Sequence, residues 1–423
     1  LALPIWRPIC FNGGMKNALY FQSGGVTAVI GATAAALIEA HQRQGQGTLY
    51  AAENGLSGLL DAHLVNASAL PPAMRQALSQ IPGGGLGSGR TLLQAYEDNP
   101  EQWQRVRDVL LAHEVGTIYV NGGNGSMDTA AKLVELGQRF NLPLKVIGLP
   151  KTIDNDLEGT DTSPGFGSAL KYLSVSLMEA ARDHCAMATK PSVFILEVMG
   201  RHTGWLATCG AVARLPAEMA SPLILFPEVV FDPERFVQVV QASFKTHKAC
   251  ICVVSEGIRT ADGQFYAQQN TASHYGHEQL GGAGFSVASL LRAQLGVKVH
   301  VAVPDYLQRA ARHLASATDI AQAEAVAQHA VQLAEQGQSG VMVNIVRDAN
   351  TPYAWHCDSI PLTDIANRER LFPTAWIDQN AYSISADALA YLQPLIQGEQ
   401  QQHWHEGLPN YPWVSWPKVC VTS

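Results

Sequence analysis

The chain has 423 residues, 47% of them hydrophobic and 15% charged, with a formal net charge of -8. That length exceeds one hydrophobic core and predicts two domains, while the acidic balance excludes a general nucleic-acid binder, which needs a basic field to displace counterions. No apolar run is long enough to cross a bilayer, so a soluble protein with no membrane partner is expected.

Residues 1–14, LALPIWRPICFNGG, carry neither a basic start nor a small-residue cleavage site, so they do not read as a secretory signal and are expected to be an extension ahead of Met15. From there, strand-like runs ending in Gly or Pro alternate with helix-like stretches. ALYFQSGG (18–25) precedes VTAVIGATAAALIEAHQR (26–43), and TIYVNGGNGS (117–126) precedes MDTAAKLVELGQRF (127–140). Further strands are predicted at 143–150, 192–200, 222–228, 249–257, 297–304 and 340–348, with helices near 167–188 and 233–244. This βαβ rhythm predicts an α/β fold with parallel sheets covered on both faces. The Ala- and Gln-rich stretch 321–338 reads as a surface helix, and the tail GLPNYPWVSWPKVCVTS as irregular.

Seven cysteines (Cys10, Cys185, Cys209, Cys250, Cys252, Cys357 and Cys420), an odd number without a C-x-x-C pair, point to a reducing compartment and hence to the cytoplasm. Cys250 and Cys252 alternate on one strand and face the same side, but two ligands without a second pair make a poor zinc site.

Several segments carry candidate chemistry. Gly24 and Gly25 in QSGGVTAVI, and Gly122 and Gly123 in NGGNGSMDT, lie between a strand and a helix, where backbone N–H groups can approach an anion. Either pair alone is as compatible with tight packing as with a phosphate cradle. Arg90, after the flexible GGGLGSGR, favours the phosphate reading. Neither a G-K-[ST] nor a G-x-G-x-x-G follows, so both familiar nucleotide fingerprints are absent. Arg201 in EVMGRHTGW suits bidentate phosphate binding or a structural ion pair. Glu256 in VVSEGIR suits sugar hydroxyls or a loop cap, and Tyr306 and Arg309 share a face if a helix begins there.

VIGLPKTIDNDLEGT (146–160) decides among these readings. Asp154 and Asp156 flank Asn155 in a turn, so both can point into one cleft beside Lys151. A carboxylate near a substrate hydroxyl can remove its proton as phosphorus arrives, while cations neutralise the phosphoryl oxygens. That is kinase-like chemistry without a P-loop.

In chain order, GGNGS, PKTIDND, EVMGRHTGW, VSEG and YLQR resemble the phosphofructokinase family, in its pyrophosphate-dependent 6-phosphofructokinase branch, from about Met15 to beyond Arg309. The resemblance implies two doubly wound, mainly parallel-sheet domains with the active site in the cleft between them. Residues 15–165 would bind the phosphoryl donor, completed by about 307–365; 166–306 would bind fructose 6-phosphate; and 366–423 would form a C-terminal helix and tail. It further implies Mg2+-dependent, reversible transfer from pyrophosphate to the 1-hydroxyl of fructose 6-phosphate, in a homodimer or homotetramer.

By the same resemblance Asp154 is the general base, Asp156 supports it or the metal, and Thr152 touches the transferring group. Met199, Gly200 and Arg201 form the sugar-phosphate turn, Glu256 meets a sugar hydroxyl, and Tyr306 with Arg309 takes the 6-phosphate. Gly24, Gly25, Arg90, Gly123, Asn124, Gly125 and Ser126 would face the donor, and Asn124 with Asp156 the metal. Lys151 marks the pyrophosphate branch, since ATP-using relatives carry Gly there. Five positions depart from the pattern. Asn124 replaces a carboxylate, Gly125 stands where that branch has an Asp that crowds out ATP, Gly31 replaces an Asn, Ser192 replaces a basic residue that reaches a neighbouring subunit's sugar phosphate, and Leu92 stands where a lysine often follows two places after the arginine. They leave an ATP-dependent enzyme and a catalytically impaired sugar-phosphate-binding paralogue as alternatives.

Overall fold

In chain order the strands are β1 (Asn17–Gln22), β2 (Leu49–Ala52), β3 (Leu64–Asn66), β4 (Val115–Gly122), β5 (Lys145–Pro150), β6 (Ser192–Val198), β7 (Leu223–Leu225), β8 (Ala249–Ser255), β9 (Lys298–Ala302), β10 (Val341–Asn350) and β11 (Tyr353–Pro361). These come from a computed structural model that describes residues 14–44, 47–267, 281–366 and 368–419. Cys10, Cys420 and nearly all of the expected 1–14 extension lie outside the described residues.

The two large sheets have the orders β11-β10-β5-β4-β1-β2-β3 and β7-β8-β6-β9, beside two small two-stranded ones, Ile377–Asp378 with Ser383–Ile384 and Trp404–His405 with Leu408–Pro409. The central strands NALYFQ, SVFILEV and ACICVVS are buried at every residue, as near-continuous apolar runs covered by helices on both faces must be. Both large sheets are mainly parallel, with two exceptions at the edges of the first. There β3 runs antiparallel to β2, and β11 antiparallel to β10. The β10–β11 pair is a hairpin closed between Asn350 and Tyr353, and a hairpin reverses direction where a βαβ crossover cannot. Along β11 more and less exposed residues alternate, which marks an edge strand rather than a doubly covered one.

The 321–338 stretch is not a surface helix. The helix spans Ala317–Glu335 and buries Ile320, Ala323, Val326, Ala327, Ala330 and Val331, packing on the helix Ile30–Gln44 and on β5. Its alanines allow that close approach, so the polar look of the sequence comes from the remaining face. Its Asp319 carboxylate accepts from Gly165 N and Ser168 N, both at 2.9 Å, and so caps the helix Phe166–Met187 that leads into the second sheet. Gly31 has a packing reason: a Cβ there would stand 2.2 Å from the Leu78 carbonyl oxygen.

The tail is mostly irregular, as expected, but it is packed on the body of the protein. Val414 is buried in the core of the first sheet, Trp416 Nε1 donates to Gly85 O at 2.6 Å, and Asn66 N donates to Pro417 O at 2.8 Å. Cys250 and Cys252 do share a face, with their sulfurs 3.9 Å apart and buried. Among the described residues no helix is long and apolar enough to cross a membrane.

Candidate active site

The loop after β5 is shaped by its own polar side chains. Lys151 N donates to Gly122 O at 3.1 Å, extending the alignment of β5 with β4. Thr152 then folds back, its hydroxyl accepting from Asp154 N at 3.0 Å. Asn155 takes the left-handed conformation (φ 52°), which Asn tolerates better than most L-residues. Its buried Oδ1 accepts from Ser163 N at 3.0 Å. With Asn155 turned inward, its two neighbours turn toward the same cleft.

The backbone carbonyls of both acids are tied down: Thr203 Oγ1 donates to Asp154 O at 3.1 Å and Arg370 N to Asp156 O at 2.9 Å. Asn124 Nδ2 donates to Asp156 at its carbonyl (3.2 Å) and its Oδ2 (3.1 Å). What remains is a set of three buried oxygens, Asp154 Oδ1, Asp156 Oδ1 and Asn124 Oδ1, without a hydrogen-bond partner in the protein. Buried acceptors seldom stay unsatisfied. A hard divalent cation bound through one or two carboxylates, with the rest of its shell from phosphate and water, fits this donor set. No group of three or more His, Cys, Asp or Glu suited to a metal occurs among the described residues, so an all-protein cage is absent there.

Burial pushes the Asp154 carboxyl well above the usual range; nearby Asp156 and Glu256 add to the shift and Lys151 opposes it. Burial raises Asp156 as well, against the hydrogen bonds of Thr152 and Asn124. Lys151 is pulled down to about 8 by burial, with Asp156 and Asp154 favouring its charged form and Arg309 and Arg90 disfavouring it. Its Nζ donates to Gly25 O. Two acids of its own loop and two arginines from distant segments therefore surround one buried ammonium.

The two glycine turns differ. Gly24 N donates to Gly89 O at 2.8 Å, and the following helix begins only at Ile30. The Gly24 N–H is thus occupied, which corrects the expectation that it faces an anion. The turn contributes a positive φ (81°) and a missing Cβ, which would lie 3.4 Å from Lys151 Nζ; a Cβ on Gly25 would lie 2.9 Å from Arg309 Nη1. The second turn does have the anion-binding form: Gly123 precedes the helix Asn124–Arg139 directly, and the first-turn amides of Asn124 and Gly125 have no carbonyl one turn back. Ser126 is buried, its N donating to Gly123 O at 2.9 Å, and its Oγ stands 2.0 Å from where a Gly122 Cβ would be. Arg90 is exposed at the rim.

Across the cleft, the carboxyl ends of β6, β8 and β9 converge, the usual place for ligands in such sheets. Gly200 (φ 128°) follows β6, and a Cβ there would lie 2.4 Å from Thr203 O. Gly200 N donates to Glu256 Oε1 at 3.2 Å, Ser255 Oγ to Gly200 O at 2.7 Å, and Met199 N to Gln308 Oε1 at 3.2 Å. The Arg201 charge favours the ionised form of Glu256, which burial disfavours. Arg309 lies 4.0 Å from the Tyr306 ring centroid while touching the Gly25 turn, so it joins the two sides. Ser192 faces inward, with its Oγ 3.2 Å from His184 Nε2 of its own chain.

Two participants are absent from the sequence reading. Glu369 pairs with Leu157 in an isolated bridge and places both carboxylate oxygens 2.9 Å from His202 Nδ1; its charge raises Asp154 and Asp156 alike. His202 sits next to Arg201 in a recognised motif and was findable; Glu369 carries no local signal.

The family model described as Phosphofructokinase matches residues 17–334. The chain is 44% identical over 399 residues (94% of this chain, 95% of the relative) to a protein of Methylococcus capsulatus named pyrophosphate–fructose 6-phosphate 1-phosphotransferase. It is 46% identical over 411 residues (96% and 97%) to a protein of the same name in Xanthomonas campestris pv. campestris. The crystal structure of a pyrophosphate-dependent phosphofructokinase from Nitrosospira multiformis superposes with a TM-score of 0.87 at 41% identity, covering 96% of this chain and 98% of that one. On the sequence motifs, the two-sheet architecture and these matches, the chain belongs to the phosphofructokinase family.

Proposed function

We infer that this chain catalyses reversible, divalent-metal-dependent transfer of a phosphoryl group from pyrophosphate to the 1-hydroxyl of fructose 6-phosphate, giving fructose 1,6-bisphosphate and phosphate. The observation that carries the reading is the buried Lys151 ammonium, fixed on Gly25 O beside Asp154 and Asp156, in a family whose relatives at this identity are named for that reaction.

Asp154 is the proposed base. Its buried Oδ1 has no protein partner and so keeps an unused acceptor for a substrate hydroxyl, and its raised proton affinity makes it a stronger acceptor than an ordinary carboxylate. As the sugar oxygen bonds to phosphorus, its proton passes to Asp154, and the bridging P–O bond breaks to release phosphate. Lys151, Arg90 and the first-turn amides of Asn124 and Gly125 neutralise the phosphoryl oxygens, with Gly24, Gly123 and Ser126 shaping the turns around them and Thr152 beside the transferring group. Met199, Gly200, Arg201 and Glu256 hold the sugar, and Tyr306 with Arg309 its 6-phosphate. Asp156 and Asn124 would hold Mg2+, which when bound supplies further neutralisation of the phosphoryl oxygens. Because the pyrophosphate anhydride and the sugar ester lie closer in energy than in the ATP case, the reaction runs both ways.

We also propose residues 15–165 with about 307–365 as the donor-binding domain, 166–306 as the sugar domain and 366–423 as a C-terminal helix and tail, in a cytoplasmic homodimer or homotetramer. The bare Gly125 favours a second reading with ATP as donor. A coupled assay with each donor tests both: turnover with pyrophosphate is expected, and turnover with ATP alone overturns the choice. Sugar binding without transfer in either direction would support the impaired-paralogue reading.

A further inference from the structure

We propose that Leu92 is a donor-specificity residue that keeps nucleotides out of the phosphoryl-donor site; this rests on the reading of pyrophosphate as the donor. Gly125, in the first turn of the helix Asn124–Arg139, presents bare backbone beside the anion-binding amides. A Cβ added there would lie 3.3 Å from Leu92 Cδ1 and 3.5 Å from Leu92 Cδ2. The space that a side chain at 125 would take is thus bordered by an isobutyl group from another loop.

That group is held in place although it is 42% exposed. Before it, Thr91 Oγ1 lies 2.6 Å from Ser57 Oγ. After it, the buried Leu93 donates its N–H to Thr129 Oγ1 at 3.4 Å and receives Lys132 Nζ on its carbonyl at 3.0 Å. Thr129 Oγ1 in turn donates to Gly125 O at 3.2 Å. The loop is therefore fastened to the same helix whose first turn it covers. Two residues earlier in this loop, Arg90 contributes to the charge around Lys151 and Arg309.

Pyrophosphate ends at its second phosphoryl group and needs only cations and amides. A nucleoside triphosphate must also place a ribose and a base alongside the helix start, with partners for their polar atoms. Leu92 takes that space and offers no hydrogen bond, so the larger donor meets both a steric and a desolvation cost. A glycine at 125 then leaves the site closed to nucleotides, because the bulk comes from across the gap.

The test is steady-state kinetics with pyrophosphate and with ATP, together with direct binding of a fluorescent N-methylanthraniloyl-ATP, on wild type, Leu92→Ala and Leu92→Phe. Leu92→Ala should raise the ratio of kcat/KM for ATP over pyrophosphate by about tenfold or more, the scale of an apolar pocket change, and tighten nucleotide binding in parallel. Leu92→Phe, which keeps the bulk, should leave the ratio at or below that of wild type. If wild type uses pyrophosphate but Leu92→Ala changes neither the ratio nor nucleotide binding, the inference falls and the donor reading stands. If wild type turns over ATP and not pyrophosphate, both fall. If wild type turns over neither, the donor reading falls and the binding comparison still decides the role of Leu92.

Discussion

The Lys151 ammonium donates to the Gly25 carbonyl, so a cation on the loop after β5 is held by the loop after β1. Gly24, immediately before, has φ 81° and leaves only 3.4 Å between its Cβ position and Lys151 Nζ. Gly24→Ala should cost about 1–2 kcal/mol of backbone strain, and relaxing that strain shifts the turn that carries the Gly25 carbonyl. A raised KM for pyrophosphate and a lower urea midpoint are the expected readings.

Asp154→Asn removes the proposed proton acceptor while keeping the shape of the turn. Turnover should fall by about a hundred- to ten-thousand-fold. Fructose 6-phosphate affinity, measured by calorimetry, should change little, because the proposed sugar contacts lie on the opposite wall. A loss of binding to match the loss of rate would remove Asp154 from the role of base.

The pH profile follows from opposite shifts on neighbouring groups. Asp154 must be ionised to accept a proton, and its affinity for protons is raised, so kcat/KM should climb with pH well above the ordinary carboxylate range. Lys151 must be charged, and its pKa is lowered to about 8, so kcat/KM should decline as pH passes that value. Lys151→Arg should carry the alkaline limb upward, since a guanidinium stays protonated.

Glu369 bears on the acid limb. Its negative charge disfavours ionisation of both Asp154 and Asp156. Glu369→Gln should therefore lower their proton affinity and move the acid limb to lower pH. An unmoved limb would reduce Glu369 to a partner of His202.

Chelation of divalent ions should abolish turnover, and Mg2+ should restore it. Asp156→Asn should raise the half-saturating Mg2+ concentration. Asn124→Asp exchanges an amide donor on Asp156 for a second carboxylate and should lower it.

The strands and the base-bearing loop were readable because their cause is local: apolar runs for β1, β6 and β8, and turn-forming Asn155 between two acids. The geometry of the Gly24 turn was not, because the fate of its N–H depends on Gly89, a residue on another loop. The same holds for Glu369, which reaches the acids through a bridge to Leu157 and leaves no periodicity behind. The helix Ala317–Glu335 misled for a different reason: alanine-rich faces look weakly apolar, yet small side chains are what close helix packing selects. Asn124 could be named as a departure from sequence, but its donation to Asp156 required coordinates.

Asn155 bends the chain at φ 52° and is anchored to Ser163 by its own side chain. Asp154 and Asp156 hang on either side of that pivot, so any rotation there swings the proposed proton acceptor and the proposed cation ligand together. The two duties of the loop are mechanically geared, and a mutation that retunes one at the pivot must retune the other.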